Sequence, residues 1–338
     1  MSARAQILPV FVPHLGCEHA CVFCNQRRIS GAQRPATAED VKKLTARSAA
    51  FLPKGGKRQL AFYGGSFTAI PEREQEALLQ AAKEALDRGE IDAIRLSTRP
   101  DAIDDTVLTR LRRYGVGTVE LGSQSMDDEV LRLSGRGHTA AEVERASRLV
   151  KAAGFELVLQ MMTGLPGSSD EKDVETARRL IALKPDGARL YPTVIVKDTP
   201  LYDMWRRGEY REHTVEDAVR VCARIVPLFE AAGIPVIRLG LNPTEELSGG
   251  AAVAGAYHPA LGELVKSRIL LEKARTLLQG AAPGSRAVIT VGRGKTSQMT
   301  GQKRENLRWL REEFALAEVK ILENPAADGG ILTVHLEK

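Results

Sequence analysis

Most of the chain repeats one pattern of apolar and polar positions. A segment with apolar residues at helical spacing is followed by a glycine and a short apolar run, as in EVERASRLVKAAGFELVLQMM. In this segment Val143, Ala146 and Val150 share one helical face. Thr139 followed by Glu142 predicts a capped helix start, and Gly154 predicts the helix end. Helices that alternate with strands in this way are typical of parallel β-α units.

This alternation predicts an α/β fold, namely a partial (β/α) barrel of the TIM type with six or seven units and a small C-terminal α/β appendage. An open doubly wound sheet is the alternative that periodicity alone allows. In a barrel the loops after the strands meet at one mouth, where reactive groups gather. The predicted strands are residues 7–12, 59–63, 93–97, 118–121, 156–161, 188–194 and 235–239.

The repeat fades after Leu241, which predicts three parts in the chain. Residues 1–241 form the barrel in this interpretation. Residues 242–259 are rich in Gly, Pro and Ala and are interpreted as a linker or lid. Residues 260–338 show helix, strand, helix and strand patterns and are interpreted as a small basic α/β domain.

Composition indicates an ordinary globular protein. The 338 residues are 43% hydrophobic, and no apolar run approaches the roughly 18 residues of a membrane span. The first apolar run, ILPVFV, lacks the cleavage pattern of a signal peptide and is interpreted as a strand. We therefore expect no membrane partner and a cytoplasmic location, where thiols stay reduced.

The net charge of +5 is concentrated toward the C-terminal part of the chain. Residues 283–311 contain seven basic residues and one acidic residue. Such a patch fits a phosphate-rich partner, and a solvated helix face is the alternative. The candidates for contacts with RNA phosphates are Arg293, Lys295, Lys303 and Arg304.

The stretch HLGCEHACVFC contains three of the four cysteines, Cys17, Cys21 and Cys24. Three thiols in one polar loop do not fit a disulfide framework and indicate a metal centre. Three cysteines can hold three irons of a [4Fe–4S] cluster and leave the fourth iron open. Zinc is the rival, with His14 or His19 as a fourth ligand.

A second motif, GGSFT, follows the second predicted strand, and with the C-x₃-C-x₂-C loop it resembles the radical S-adenosylmethionine (SAM) superfamily. The resemblance implies that the three cysteines bind a [4Fe–4S] cluster and that SAM binds its open iron. It also implies that Phe23 lies near the adenine. Gly64, Gly65 and Ser66 are then expected to hold the methionyl end of SAM.

Further motifs extend the resemblance over residues 7–239. VELGSQSMDDEVLRLSGRGHTAAEV, GFELVLQMMTGLPG and ARLYPTVIVKDTPLYDMWRRGEY resemble the radical-SAM domain of the Elongator catalytic subunit. By position, Gln124 and Arg136 are expected to bind the ribose and the carboxylate of SAM. Ser97 and Gln160 are expected to make polar cofactor contacts. Three apolar residues are expected near the adenine: Met161, Met162 and Leu165.

The resemblance implies a function. A reduced cluster is expected to cleave SAM to methionine and a 5′-deoxyadenosyl radical, which abstracts hydrogen from RNA, with tRNA as the expected substrate. An external reductant such as ferredoxin or flavodoxin is the implied partner. The residues after the linker do not resemble an acetyltransferase domain, so acetyl-CoA chemistry is not predicted.

Two other functions stay open at this point. One is a radical-SAM reaction on a tetrapyrrole, of the coproporphyrinogen type, or on another small molecule, although Asn25 and Gln26 do not match that branch. The other is a metal-bearing RNA-binding module without turnover. Outside the motifs, Tyr257 and His258 are weak catalytic candidates near the expected mouth. Cys222 lies on an apolar helical face and is interpreted as a core residue.

Overall fold

The computed structural model describes residues 6–17, 21–51, 56–326 and 332–337. The chain divides into two compact units. The first unit comprises Met1–Thr214 and Leu228–Pro259, and the second comprises Val215–Pro227 and Ala260–Lys338. Among the described residues, no helix has both the length and the apolar character needed to cross a bilayer.

The described residues form twelve strands, which are distributed over three sheets. Nine of them belong to the first unit and three to the second. The strands are β1 (Gln6–Phe11), β2 (Arg58–Tyr63), β3 (Ala93–Thr98), β4 (Val116–Gln124), β5 (Glu156–Thr163), β6 (Gly187–Pro192), β7 (Val194–Val196), β8 (Val236–Leu239), β9 (Ala252–Gly255), β10 (Arg286–Gly292), β11 (Glu318–Asn324) and β12 (Leu332–Glu337).

The main sheet of the first unit has seven parallel strands in the order β1-β2-β3-β4-β5-β6-β8. The strand order follows the chain without reversing, whereas a doubly wound sheet reverses at a switch point. The predicted partial barrel is therefore confirmed, and the doubly wound alternative is wrong. Each of the seven predicted strands overlaps one strand of this sheet.

Within the described ranges, twelve helices connect or flank these strands. They are α1 (Gln26–Ser30), α2 (Ala38–Phe51), α3 (Glu72–Asp87), α4 (Asp105–Arg113), α5 (Asp128–Leu133), α6 (Ala140–Ala152), α7 (Asp170–Ala182), α8 (Pro200–Arg206), α9 (Val215–Ala231), α10 (Leu261–Leu277), α11 (Thr296–Thr300) and α12 (Glu305–Glu313).

Helix α6 begins and ends where the sequence predicts. Thr139 accepts a hydrogen bond from the Glu142 backbone N–H, and the Glu142 side chain accepts one from the Thr139 backbone N–H. Gly154 follows the helix with a φ of 80°, the left-handed conformation that favours glycine. The predicted core face is also confirmed, because Val143, Ala146 and Val150 are fully buried. This local order fixes the loop that precedes α6.

The segment interpreted as a linker or lid has structure of its own. Strand β9 pairs with β7 in a two-stranded antiparallel sheet, and a wide helical turn, Leu247–Ala251, precedes it. The strand predicted over residues 188–194 is divided after Pro192, because β7 leaves the main sheet to pair with β9. Ile29 of α1 packs against the same small cluster as Val194 and Leu247. The small sheet therefore packs next to the helix that follows the cysteine loop.

The second unit contains a three-stranded sheet in the order β11-β10-β12. Strand β10 is parallel to β11 and antiparallel to β12. The sequence predicts β10 and β12, but it misses β11, whose EVKILEN pattern alternates and is mostly exposed. Ile289, Met299 and Leu310 are fully buried in the core of this unit. The small α/β appendage is thus confirmed.

The capping box of α6 supports a stability prediction. Thr139→Ala removes the side-chain acceptor at the helix start and is expected to lower the free energy of unfolding by about 1 kcal/mol. Urea denaturation followed by circular dichroism measures the change. Thr106→Ala is the control, since Thr106 is an exposed threonine inside α4. An equal loss in both variants would show that the cap contributes nothing.

Candidate functional site

The cysteine loop after β1 packs directly on the glycine turn after β2. The Ser66 backbone N–H donates to the Leu15 carbonyl oxygen at 2.8 Å. A Cβ added at Gly65 would lie 2.5 Å from the carbonyl oxygens of Leu15 and Val12. At Gly64 the constraint is the backbone conformation, because its φ of 89° is a value that residues with a side chain rarely adopt. The paired glycines thus let two backbone segments approach each other, and this contact positions the cysteines.

Two of the three thiols, those of Cys17 and Cys24, lie beside polar side chains. The Cys17 Sγ is 3.8 Å from the Ser66 Oγ, and the Gln26 side-chain amide donates to the Cys24 Sγ at 3.1 Å. Burial raises the pKa of the Cys24 thiol to about 12, and the neighbouring Cys21 adds to this effect. Without a cation the thiol stays protonated, whereas a metal binds the thiolate.

Arg136 joins the third thiol to the end of β4. Its Nη1 donates to the Cys21 Sγ at 3.0 Å, and its Nη2 donates to the Gly122 carbonyl oxygen at 2.7 Å. A Cβ at Gly122 would lie 3.3 Å from the Arg136 Nη2, so the glycine makes room for the guanidinium. The Arg136 Nε is buried and has no hydrogen-bond partner among the described residues. A buried donor without a partner is costly, so it indicates a missing acceptor.

Gln124 is close to Arg136 and also has a buried polar atom that lacks a hydrogen bond to the described residues. Its backbone has a φ of 63°, which is uncommon for a residue other than glycine. Its side-chain Oε1 is buried and has no hydrogen-bond partner in the part of the chain that the structure describes. His138, which follows on the same loop as Arg136, lies 3.3 Å from the Ser123 carbonyl oxygen through its Nε2. Burial, together with the Arg136 charge, lowers the pKa of His138 to about 4, so the imidazole is neutral.

The donor set of three cysteines in one loop fits an iron–sulfur cluster, whose cysteines bind separate irons. In the described part of the chain, no three His, Cys, Asp or Glu side chains converge as ligands of one ion. The His14 Nε2 already accepts a hydrogen bond from the Gln26 backbone N–H at 3.1 Å. His19, the other predicted zinc ligand, lies outside the described residues.

An apolar cluster lies next to the cysteine loop. Phe23 and Tyr191 pack against buried Val130, Met162 and Leu165. These are the surroundings expected for the adenine. Met161 is fully buried but is not a member of this cluster, because successive strand residues point to opposite faces.

Gln160 and Ser97 do contact each other. The Gln160 side-chain amide donates to the Ser97 Oγ at 3.1 Å and to the Glu120 Oε2 at 3.0 Å. Glu120 is fully buried at the centre of a polar group that the sequence analysis missed. We call this group the Glu120 layer, which consists of Tyr63, Arg95, Glu120, Gln160 and Arg189. Charged residues inside the apolar strand segments AIRLST, VELG and ARLY were the signal for it.

The weaker catalytic candidates have local contacts. The Tyr257 hydroxyl is 2.8 Å from the Ser248 hydroxyl, and its ring packs on the cluster that includes Val194 and Leu247. These contacts give Tyr257 a structural role in the small sheet. His258 follows it in the chain. Cys222 is fully buried on α9, as expected of a core residue.

The basic candidates belong to the second unit. Arg293 and Lys295 lie in the turn between β10 and α11, and Lys303 and Arg304 lie just before α12. Arg293, Lys303 and Arg304 are exposed, whereas the Lys295 Nζ donates to the Gln298 Oε1 at 3.1 Å. Lys303 and Arg304 have φ values of 49° and 63°. Left-handed backbone at two successive side-chain-bearing residues is costly and is often found at functional sites.

Two family models match the chain. The model of the Radical SAM superfamily matches residues 11–180, and the model of the Radical_SAM C-terminal domain matches residues 185–270. The first match includes the cysteine loop, the glycine turn and the Arg136 loop. The second includes β6 to β9, the small sheet among them.

Curated relatives include Elongator proteins. The chain is 32% identical to the human Elongator complex protein 3 over 192 residues, which cover 51% of this chain and 35% of the human protein. It is 33% identical over 157 residues to a tRNA uridine(34) acetyltransferase of Methanocaldococcus infernus, covering 45% of this chain and 29% of that protein. The chain thus spans about a third of the length of these relatives.

A solved structure shows the same fold. It is the archaeal Methanocaldococcus infernus Elp3 with an N-terminal deletion, which superimposes with a TM-score of 0.63 at 22% identity. The superposition covers 81% of this chain and 64% of that chain.

The packing of Gly65 supports a prediction. Gly65→Ala is expected to displace the cysteine loop, because the new Cβ overlaps two backbone oxygens that belong to that loop. We expect the free energy of unfolding to fall by about 2 kcal/mol and the iron content after anaerobic reconstitution to fall. Urea denaturation and iron analysis measure the two effects.

Gly262→Ala is the matched control for this substitution. A Cβ at Gly262 has no heavy atom within 4 Å, so this variant should bind iron like the unsubstituted protein. Normal iron content in Gly65→Ala would contradict the role of this backbone contact.

Proposed function

The chain belongs to the radical SAM superfamily, and from this premise we propose that it is a tRNA-modifying enzyme that initiates its reaction by hydrogen abstraction. Its cofactors are those of the superfamily, a [4Fe–4S] cluster and SAM. The observation that carries the proposal is the Elongator-type relationship together with the basic turns of the second unit.

In this proposal Cys17, Cys21 and Cys24 hold the cluster. When bound and reduced, the cluster supplies the electron that cleaves SAM to methionine and a 5′-deoxyadenosyl radical. The residues of the chain provide binding, orientation and exclusion of water. Arg136 is suited to the SAM carboxylate, because a guanidinium pairs with a carboxylate in two parallel hydrogen bonds. The Arg136 Nε has no partner among the residues that the structure describes.

The other cofactor contacts follow the geometry of the strand ends. Gln124, with its unpartnered Oε1, is assigned to the ribose. The turn of Gly64, Gly65 and Ser66 is assigned to the methionyl amino group. Ser97 and Gln160 are assigned to polar contacts with the cofactor. The apolar surroundings of the adenine are assigned to Phe23, Met162 and Leu165.

RNA binding is assigned to the second unit. Arg293, Lys295, Lys303 and Arg304 would contact phosphates, which position the RNA without reading its sequence. We further propose a cytoplasmic location and an external one-electron reductant such as ferredoxin or flavodoxin. The tetrapyrrole alternative predicts no RNA binding and is an outcome of the tests below.

Cysteine substitutions test the cluster. Replacing Cys17, Cys21 or Cys24 singly by alanine should remove most of the iron, from about four per chain in the unsubstituted protein, and abolish 5′-deoxyadenosine formation. Anaerobic reconstitution, iron and sulfide analysis and chromatography of the products measure both. Cys222→Ala is the control and should retain iron, because Cys222 is a core residue of α9. Zinc in oxygen-free preparations would refute the assignment.

Alanine substitution of Arg293, Lys295, Lys303 and Arg304 tests the RNA site. The association constant K for tRNA decreases with salt, so a plot of log K against log salt has a negative slope. If all four residues contact phosphates, this slope should become shallower by about three, while uncoupled SAM cleavage persists. Filter binding at several salt concentrations measures the slope. A matched control removes two lysines and two arginines that are exposed on the first unit: Lys43, Lys57, Arg113 and Arg178.

A double glycine variant separates charge from folding in this test. Lys303→Gly combined with Arg304→Gly removes two charges and relieves left-handed backbone, which costs about 1 kcal/mol per residue. It should therefore be more stable and yet bind tRNA more weakly. Unchanged tRNA binding in the quadruple variant would show that the RNA site lies elsewhere, and no tRNA binding by the unsubstituted protein would favour a small-molecule substrate.

A further inference from the structure

Five neighbouring strands each contribute one polar side chain to the Glu120 layer. The Glu120 carboxylate lies 3.1 Å from the Arg95 Nη1 and 2.8 Å from the Arg189 Nε. The Tyr63 hydroxyl and the Gln160 amide each donate to it at 3.0 Å. These residues come from β2, β3, β4, β5 and β6 in that spatial order. One buried carboxylate on β4 is therefore surrounded by donors from four neighbouring strands.

The layer lies one step below the apolar cluster of the candidate site. Gln160 is two residues before Met162 on β5, and Arg189 is two residues before Tyr191 on β6. Residues two apart on a strand point to the same face of the sheet. Gln160 and Arg189 are also direct partners in the β5-β6 register. The layer thus lies on the same face as the cluster that packs against Phe23, deeper along the strands.

The charges of the layer do not balance. Arg95 and Arg189 are two cations, and Glu120 is one anion, which leaves one net positive charge. Burial, reinforced by the Glu120 carboxylate, raises the pKa of Tyr63, so the phenol stays neutral. The Arg95 Nε is buried, and no described residue is a hydrogen-bond partner for it. Excess buried charge and an unpartnered donor are both unfavourable, and one oxyanion relieves both.

A purely structural role explains the layer poorly. Barrel interiors are ordinarily filled by layers of branched apolar residues. Replacing a buried ionic network by apolar residues of similar volume is often neutral or stabilising. Tyr63, Gln160 and Arg189 also keep part of their surface accessible, in contrast to Glu120. These partly accessible side chains point to a ligand that arrives from outside.

We infer that the Glu120 layer binds an oxyanionic group of the substrate, with Arg95 and Arg189 as donors and Tyr63 beside them. The inference rests on the proposed function and narrows its substrate to one that carries an anion. A singly charged phosphodiester of a nucleotide fits the net charge, and so does the carboxylate of a small molecule. The phosphodiester is tetrahedral and the carboxylate is planar, and a guanidinium binds either oxyanion through two parallel N–H···O hydrogen bonds.

The test measures anion binding to the anaerobic holoenzyme with SAM present, so that the SAM carboxylate is already supplied. The probes are inorganic phosphate, uridine 5′-monophosphate and acetate at constant ionic strength, with chloride as the replaced ion. Phosphate or acetate should raise the Tm by a few degrees at saturation. Stronger binding of the two phosphate probes identifies a nucleotide substrate, and stronger binding of acetate identifies a carboxylate substrate.

Substitutions within the layer are expected to change the affinity for the anion in opposite directions. Arg189→Met should weaken binding of the preferred anion by about tenfold or more, because a buried charge partner is lost. Arg189→Lys keeps the charge and should retain most of the affinity. Glu120→Gln raises the net charge of the layer to +2 by removing the competing carboxylate, so it should tighten binding severalfold. A merely structural network would not produce this increase.

Arg58→Met is the matched control. Arg58 lies at the other end of β2 from Tyr63 and is paired with Asp92, so anion binding should be unchanged. Absence of anion binding in the unsubstituted protein, or weaker binding in Glu120→Gln, would overturn the inference even if Arg189→Met fails to fold. Formation of 5′-deoxyadenosine without anion binding would refute this inference alone, whereas anion binding without 5′-deoxyadenosine would refute the proposed reaction.

Discussion

The site depends on a contact between two pieces of backbone with no side chain between them. The loop that carries the three cysteines rests on the turn after β2, where Gly65 leaves room for the carbonyl oxygens of Val12 and Leu15. Gly16 packs from the other direction, because a Cβ there would lie 2.2 Å from the Ser66 carbonyl oxygen. Loops are ordinarily the most mobile parts of a protein. Here the close packing fixes the thiols relative to the strand ends, and the Arg136 guanidinium can then reach Cys21.

The interior of the first unit combines two environments that differ in the free energy of burying their side chains. Next to the cysteine loop, Phe23, Met162 and Leu165 form an apolar surface that is inexpensive to bury. Deeper along the same strands, Glu120 and two arginines occupy space that apolar residues fill more favourably. Such a layer contributes little to stability, which agrees with the substrate role inferred for it.

Much of this arrangement is predictable from sequence because it follows local rules. Strand and helix periodicity give the order of the seven strands, and Thr139 with Glu142 gives the start of α6. The Cys spacing and the GGSFT motif identify the loops that meet at the mouth. What periodicity does not give is side-chain pairing between distant strands, so the contacts of Glu120 with Arg95 and Arg189 were missed. Strand β11 was missed as well, because its alternation is short and only Val319 and Ile321 of its side chains pack on the core.

The two-stranded sheet of β7 and β9 has a consequence for how the chain can be divided. Its residues come from both sides of the last barrel strand, and Arg28 of α1 forms ion pairs with Asp198 and Glu246 beside it. A fragment that stops at Leu241 contains every strand of the main sheet but loses β9 and Glu246. It would leave Val194 and Ile29 without their apolar cover, next to the helix that follows the thiols. The C-terminal boundary of the first unit therefore follows from the pairing of β7 with β9 and not from the main sheet alone.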